Sequence, residues 1–62
     1  MDKEKILSMD PMILLSMVNM KLRDFYSSLD SLCSDMGVEK EVIITKLSSV
    51  GFEYNEDQNA FR

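Results

Sequence analysis

The stretch Asp10–Tyr26, DPMILLSMVNMKLRDFY, decides the fold that we predict, because it is long, strongly apolar and clearly marked at its start. Aspartate before proline favours a helix start, since the carboxylate accepts free amide hydrogens of the first turn and proline suits the first helical position. On a helical wheel one side of this stretch carries Leu14, Val18, Leu22 and Phe25. We therefore predict the principal helix over residues 11–25, with this side facing the core.

The same helix has a second apolar side, which holds Met9, Met12, Ile13, Met17 and Met20. A 62-residue chain buries only about 60% of its unfolded surface, so we expect too little chain to cover both sides. Methionine adapts to a partner, and the spacing of Ile13, Met17 and Met20 is typical of a packing seam. These five residues are the predicted interface of a homodimer or of a contact with another protein. The alternative is that the methionines fill gaps beneath neighbouring segments.

The remainder of the chain predicts two shorter helices and a hairpin. Apolar residues recur at helical spacing over residues 29–36 and 39–50, with Ser27 and Ser28 as candidate N-caps and Gly37 as a left-handed helix end. Aromatic residues flank the polar stretch NEDQN within residues 52–62, which predicts two short strands joined by a turn of four or five residues. Residues 1–9 are predicted to be a lead-in, and residues 10–62 a single domain.

These elements predict a mainly α fold, a three-helix domain resembling a helix-turn-helix, with a C-terminal β-hairpin as a reduced wing. The core should combine apolar residues from all three helices with the aromatic residues of the hairpin. The predicted core comprises Leu14, Val18, Leu22, Phe25, Leu29, Leu32, Cys33, Met36, Ile43, Leu47, Val50, Phe52, Tyr54 and Phe61.

Composition argues against several classes of protein. The chain has no histidine and a single cysteine, so a disulfide framework, a zinc site and histidine-based catalysis are not expected. Cys33 lies on the apolar side of its helix, where a small core residue is more common than a nucleophile. No catalytic motif, cofactor or small-molecule site is evident, and no apolar run reaches the ~20 residues of a membrane span. We expect a non-enzymatic protein located in the cytoplasm.

Nucleic-acid binding is the alternative function. A small residue at Cys33, a glycine turn at Gly37 and apolar anchors at Ile43 and Leu47 match a helix-turn-helix, although packed helical hairpins show the same pattern. The candidate contacts are Lys40, Thr45 and Lys46. Charge disfavours this function. The net charge of −4 lies entirely within residues 28–62, where seven acidic residues outnumber three basic ones, and nucleic acid would be repelled.

The chain resembles a family of short bacterial proteins known as domain of unknown function 4250. The resemblance rests on DPMILLSMVNMKLRD at residues 10–24, SSLDSLC at residues 27–33 and GFEYNEDQNAF at residues 51–61. It implies a complete small protein of bacterial, cytoplasmic origin, and it supplies no activity or ligand. If the polar residues of the first helix, Asn19, Lys21, Arg23 and Asp24, are family features, we expect them to hydrogen-bond the hairpin or a neighbouring helix end.

Overall fold

Four helices and a C-terminal hairpin follow one another along residues 3–62, which are the residues that the computed structural model describes. The elements are α1 (Lys3–Ser8), α2 (Pro11–Asp24), α3 (Leu29–Met36), α4 (Lys40–Ser48), β1 (Tyr54–Asn55) and β2 (Ala60–Phe61). The predicted class, mainly helical with a C-terminal hairpin, is confirmed. The three predicted helices correspond to α2, α3 and α4.

α1 is the element that the sequence did not predict, and residues 3–8 of the predicted lead-in are helical. The helix packs against α4 and places Ile6 in the core with no exposed surface. At its end, the Nζ atom of Lys46 donates a hydrogen bond of 2.6 Å to the carbonyl oxygen of Leu7. A helix this short depends on such tertiary contacts. Its six residues are also too few to produce a clear periodic pattern.

The predicted helix boundaries at Asp10, Ser28 and Gly37 are confirmed. An oxygen of Asp10 accepts a hydrogen bond from the Met12 amide at 2.8 Å, and the hydroxyl of Ser28 accepts one from the Ser31 amide at 3.1 Å. Gly37 has φ of 70°, a left-handed conformation in which glycine carries no Cβ penalty. These caps fix where α2 and α3 begin and where α3 ends.

α4 is shorter than predicted, covering residues 40–48 rather than 39–50. Glu39 is extended, and the chain leaves the helix at Ser49 to make a turn through Gly51, whose φ is 88°. The Phe52 amide then donates to the carbonyl oxygen of Leu47 at 3.0 Å and directs the chain into the hairpin. Val50 lies in this turn and is 40% exposed, so its predicted place in the core is wrong.

The hairpin pairs Tyr54 with Phe61 and Asn55 with Ala60 in an antiparallel register. Four residues, 56–59, connect the strands, as predicted, although each strand is only two residues long. The rings of Tyr54 and Phe61 lie 5.5 Å apart at an angle of 52°, a tilted arrangement that is favourable for aromatic pairs. This aromatic pair directs the hairpin against the helices.

The core draws on all four helices and on the end of the hairpin. The predicted core positions Met36, Phe52 and Tyr54 are half-buried and pack against it. The predicted burial of Phe25 is wrong. The backbone leaves helical geometry there, with φ of −127°, and the ring is 70% exposed. The buried residues are Ile6, Leu14, Val18, Leu22, Leu29, Leu32, Cys33, Val38, Ile43, Leu47 and Phe61.

Val38 is a core residue that the sequence analysis missed, and the end of α3 explains its burial. The Val38 amide donates to the carbonyl oxygen of Cys33 at 3.1 Å, directly after the left-handed Gly37. This is the hydrogen bond of a Schellman motif, in which an apolar residue just beyond the glycine commonly packs back on the helix. An apolar residue directly after a helix-ending glycine was therefore the available signal.

We expect Ile6→Val to lower the free energy of unfolding by about 1 kcal/mol, because it removes one methylene from a fully buried side chain. Ile13→Val is the matched control, since Ile13 is 62% exposed and should change stability by less than about 0.5 kcal/mol. Urea unfolding followed by circular dichroism measures both variants. Equal effects would mean that α1 does not contribute to the core in solution.

Candidate functional site

One flank of α2 is the exposed apolar feature that best matches the predicted interface. Leu14, Val18 and Leu22 face the core, which leaves Ile13, Met17 and Met20 on a neighbouring side of the helix. Ile13 is 62% exposed and Met20 is 38% exposed, whereas Met17 is half-buried against the core. We call these three residues the Ile13–Met20 surface.

The other two residues of the predicted interface lie elsewhere. Met9 is half-buried against the core, and its amide donates to the carbonyl oxygen of Ile6 at 3.3 Å, so it helps to join α1 to α2. Met12 is 52% exposed, but it lies about 100° around the helix from Ile13. The five predicted residues therefore divide into an exposed surface, a packing residue and a separate exposed methionine.

Asn19 holds the hairpin to α2. Its Nδ2 atom donates to the carbonyl oxygen of Phe61 at 3.1 Å, and its Oδ1 atom accepts from the Phe61 amide at 2.8 Å. The side-chain amide thus bonds β2 as a neighbouring strand would. The expected hydrogen bond from the first predicted helix to the hairpin is confirmed for Asn19, and its amide is already engaged within the chain.

Lys21, Arg23 and Asp24, the other polar residues considered on this helix, make local contacts instead. Arg23 forms an exposed ion pair with Asp24 at 3.0 Å, which raises the pKa of the guanidinium and lowers the pKa of the carboxyl, mainly through their hydrogen bond. The Nζ atom of Lys21 lies 5.9 Å from the centre of the Phe25 ring. Exposed contacts of this kind contribute little to stability.

Asn59 carries a polar network that the sequence analysis missed. Its Nδ2 atom donates to the carbonyl oxygens of Leu22 and Tyr26, at 3.0 and 2.9 Å, at the end of α2. Its Oδ1 atom accepts from the Tyr54 hydroxyl at 2.6 Å, and that hydroxyl accepts from the Leu29 amide at 3.2 Å. The network satisfies main-chain groups at the end of α2 and the start of α3. The available signal was an asparagine in a tight turn, where it tolerates its φ of 50°.

The three candidate nucleic-acid contacts lie on α4 in different surroundings. Lys40 pairs with Asp30 at 2.8 Å, which raises the pKa of its ammonium group through the hydrogen bond and the opposite charge. Lys46 is bonded to the end of α1, and Thr45 is exposed. Both lysines thus have partners within the chain. The hairpin presents exposed acidic side chains at Glu53, Glu56 and Asp57.

The cysteine thiol and one tyrosine hydroxyl, which are groups with potential catalytic chemistry, have packing or hydrogen-bonding roles in the part of the chain that the structure describes. Cys33 is buried, and burial is the main cause that raises the pKa of its thiol, so the reactive thiolate is disfavoured. The Tyr26 hydroxyl donates to Asp35, and this hydrogen bond raises the pKa of the phenol. Within residues 3–62, no three side chains of the types that ligate metals are grouped to hold an ion.

Among the helices that the structure describes, none has both the length and the apolar character needed to cross a bilayer. No curated protein and no solved structure matches the chain. The family described as Domain of unknown function (DUF4250) matches residues 8–61, which span α2, α3, α4 and both strands of the hairpin. The match covers far more than half of the sequence, so the chain belongs to this family of unknown function.

Proposed function

We propose that this chain is a non-enzymatic interaction module that forms a homodimer through the Ile13–Met20 surface. The observation that carries the proposal is the exposure of Ile13 and Met20 beside a completed core. Core positions on α2 are already filled by Leu14, Val18 and Leu22. The apolar side chains of the second flank therefore do not contribute their full burial to the monomer, and a partner would remove them from water.

The arrangement on α2 suits a second copy. Ile13 and Met20 are seven residues apart, which places them two turns and about 10 Å apart along the same side of the helix. In an antiparallel pair of α2 helices, Ile13 of each copy would meet Met20 of the other, with Met17 near the centre. A two-fold interface requires this kind of self-complementary surface. Met17 and Met20 can adjust their rotamers to fit the opposing helix.

The charge distribution also favours a second copy. Residues 1–27 contain four acidic and four basic side chains, so the half of the chain that includes α2 is neutral. Two such surfaces can approach without net repulsion, whereas the other half carries the net charge of −4. The same proposal includes the bacterial cytoplasm as the setting, which rests on the resemblance of the sequence.

The expected dimer is weak. A standard interface buries about 800 Å² on each partner, and three side chains with their neighbours on a 14-residue helix offer less than that. We therefore expect dissociation constants in the range of about 10 μM to 1 mM. The number of flanking side chains that join the contact would determine where the dissociation constant lies within this range.

We expect sedimentation equilibrium to give a mass that rises with concentration from 7.2 kDa toward twice that value. Ile13→Glu with Met20→Glu should hold the mass at that of the monomer, because the two carboxylates of each copy would be buried without partners. The matched control is Leu7→Glu with Met12→Glu, two exposed apolar residues outside the Ile13–Met20 surface, which should still dimerise. Circular dichroism shows that each variant is folded.

Two outcomes would contradict the proposal. A monomer mass for the native chain at every concentration up to about 1 mM would exclude self-association of useful strength. Equal loss of dimer in the test and control variants would show that the contact is not made by the Ile13–Met20 surface.

A further inference from the structure

The two edges of the hairpin are not equivalent. Glu53 and Arg62 exchange both main-chain hydrogen bonds, at 3.0 and 2.9 Å. By the alternation of an antiparallel ladder, the next pair, Tyr54 and Phe61, directs its main-chain groups away from the partner strand. Those of Phe61 are bound by Asn19, as a third strand would bind them. Those of Tyr54 point out of the opposite edge, on β1.

A groove of about 650 Å³ runs beside β1, with walls formed by the start of α3 and one side of α4. Its apolar part includes Leu29 and Ile44, and Ile44 is 36% exposed. Hydroxyl groups of Ser27 and Ser48 line it as well. The volume lies within the range of clefts that bind small ligands. A strand edge beside a groove that can hold side chains is the geometry that binds extended peptides.

The charge of the groove selects the occupant. Asp30, Glu53 and Glu56 line it together with one basic residue, Lys40. Lys40 is paired with Asp30 at 2.8 Å, which leaves Glu53 and Glu56 to set the field along β1. A second copy of this chain would bring the same glutamates together from both sides, and like charges opposed across paired strands are destabilising. A segment with lysine or arginine would instead find opposite charges.

We propose that this groove binds an extended segment of another protein that carries lysine or arginine at alternate positions, added to the edge of β1 as a further strand. The main chain of Tyr54 exchanges hydrogen bonds with the segment. An apolar side chain of the segment contacts Ile44, and its cationic side chains lie against Glu53 and Glu56. The site is separate from the Ile13–Met20 surface, so it does not depend on the proposed homodimer.

The first test uses isotope-labelled native chain and the probe acetyl-Lys-Val-Lys-Val-Lys-Val-amide at low salt. Nuclear magnetic resonance should show saturable shifts of the Tyr54 and Ile44 amides. Two further probes carry N-methyl groups on all valines or on all lysines, which removes the donors of one strand edge or the other. One of the two should bind at least about tenfold more weakly, because it loses the amide hydrogen that donates to the Tyr54 carbonyl oxygen and its methyl group blocks close approach to β1.

The second test reverses charge. Glu53→Lys with Glu56→Lys should weaken binding of the unmodified probe by at least about tenfold. Glu4→Lys with Asp24→Lys is the control, since it makes the same change of charge at exposed residues outside the groove and should weaken binding far less. Circular dichroism verifies that both double variants fold. If one of them does not fold, the titration of the native chain with the N-methylated probes still tests the proposal.

Three outcomes would overturn the proposal. No saturable shift of the Tyr54 and Ile44 amides with the probe would mean that the groove does not bind such a segment. Both N-methylated probes binding as tightly as the unmodified one would mean adsorption to acidic charge without strand addition. Equal weakening by the test and control pairs would mean that the net charge of the whole chain, and not Glu53 and Glu56, attracts the probe.

Discussion

Replacing Phe61 by alanine is expected to lower the free energy of unfolding by about 3–5 kcal/mol. The ring is 2% exposed, lies against Tyr54 and is the part of β2 that enters the core. A domain of this length has a total stability on the order of 3–9 kcal/mol. The loss is therefore at least about a third of the total, and a chain at the lower end of this range would be largely unfolded at 25 °C.

Phe25→Ala is the matched control for this prediction. It is the same substitution, but the Phe25 ring is 70% exposed and contacts only the ammonium group of Lys21 among the ring contacts of residues 3–62. We expect it to cost less than about 1 kcal/mol. Chemical denaturation followed by far-ultraviolet circular dichroism gives both values. A Phe61→Ala variant as stable as Phe25→Ala would contradict the docking of the hairpin into the core.

The substitution Asn59→Asp is expected to cost about 3 kcal/mol at neutral pH. It keeps the oxygen that accepts from Tyr54, and aspartate also tolerates the left-handed backbone of this position. It replaces the Nδ2 donor with a carboxylate oxygen, which then faces the carbonyl oxygens of Leu22 and Tyr26 at about the present 3 Å. Two hydrogen bonds become two repulsive contacts.

The penalty of Asn59→Asp should depend on pH in a defined direction. The carbonyl oxygens disfavour the charged carboxylate, so the pKa of the introduced group is raised in the folded state above its ordinary ~3.9. The folded state then binds the proton more tightly than the unfolded state. The penalty is therefore smallest below pH ~4 and grows as pH rises through the folded pKa.

Asn55→Asp is the matched control for the pH experiment. The Oδ1 atom of Asn55 accepts a hydrogen bond from the Gln58 amide at 3.2 Å, a role that a carboxylate also fills. We expect this variant to differ from the native chain by less than about 0.5 kcal/mol. The difference between the two variants, measured by urea unfolding at several pH values, removes the general effect of acid. A difference that shows no change with pH would contradict the assigned orientation of the Asn59 amide.

The elements that could be predicted from sequence are those with strong local signals. Asp10 with Pro11, Ser28 and Gly37 mark helix ends through hydrogen bonds made within a few residues. The apolar periodicity of α2 likewise identified Leu14, Val18 and Leu22 as buried. Such signals depend on the neighbouring residues alone, so the sequence contains them in full.

The elements that could not be predicted depend on contacts between distant residues. α1 is fixed by Ile6 in the core and by Lys46, which lies 39 positions away from Leu7. Phe25 sits on the core side of an ideal wheel, but the helix ends one residue earlier and turns its ring outward. For the candidate interface, sequence grouped five residues by angle alone, whereas the tertiary fold buries part of Met9 and Met17.

The hydrogen bonds of Asn19 and Asn59 also have a kinetic consequence. They join residues 42 and 37 positions apart, whereas the caps of α2 and α3 are made within three residues. Closing such long loops costs chain entropy before any stabilising contact can compensate for it. Docking of the hairpin should therefore be a late event in folding. Contacts formed after the transition state mainly slow unfolding. The two asparagines would therefore act chiefly on how long the chain stays folded, and little on how fast it folds.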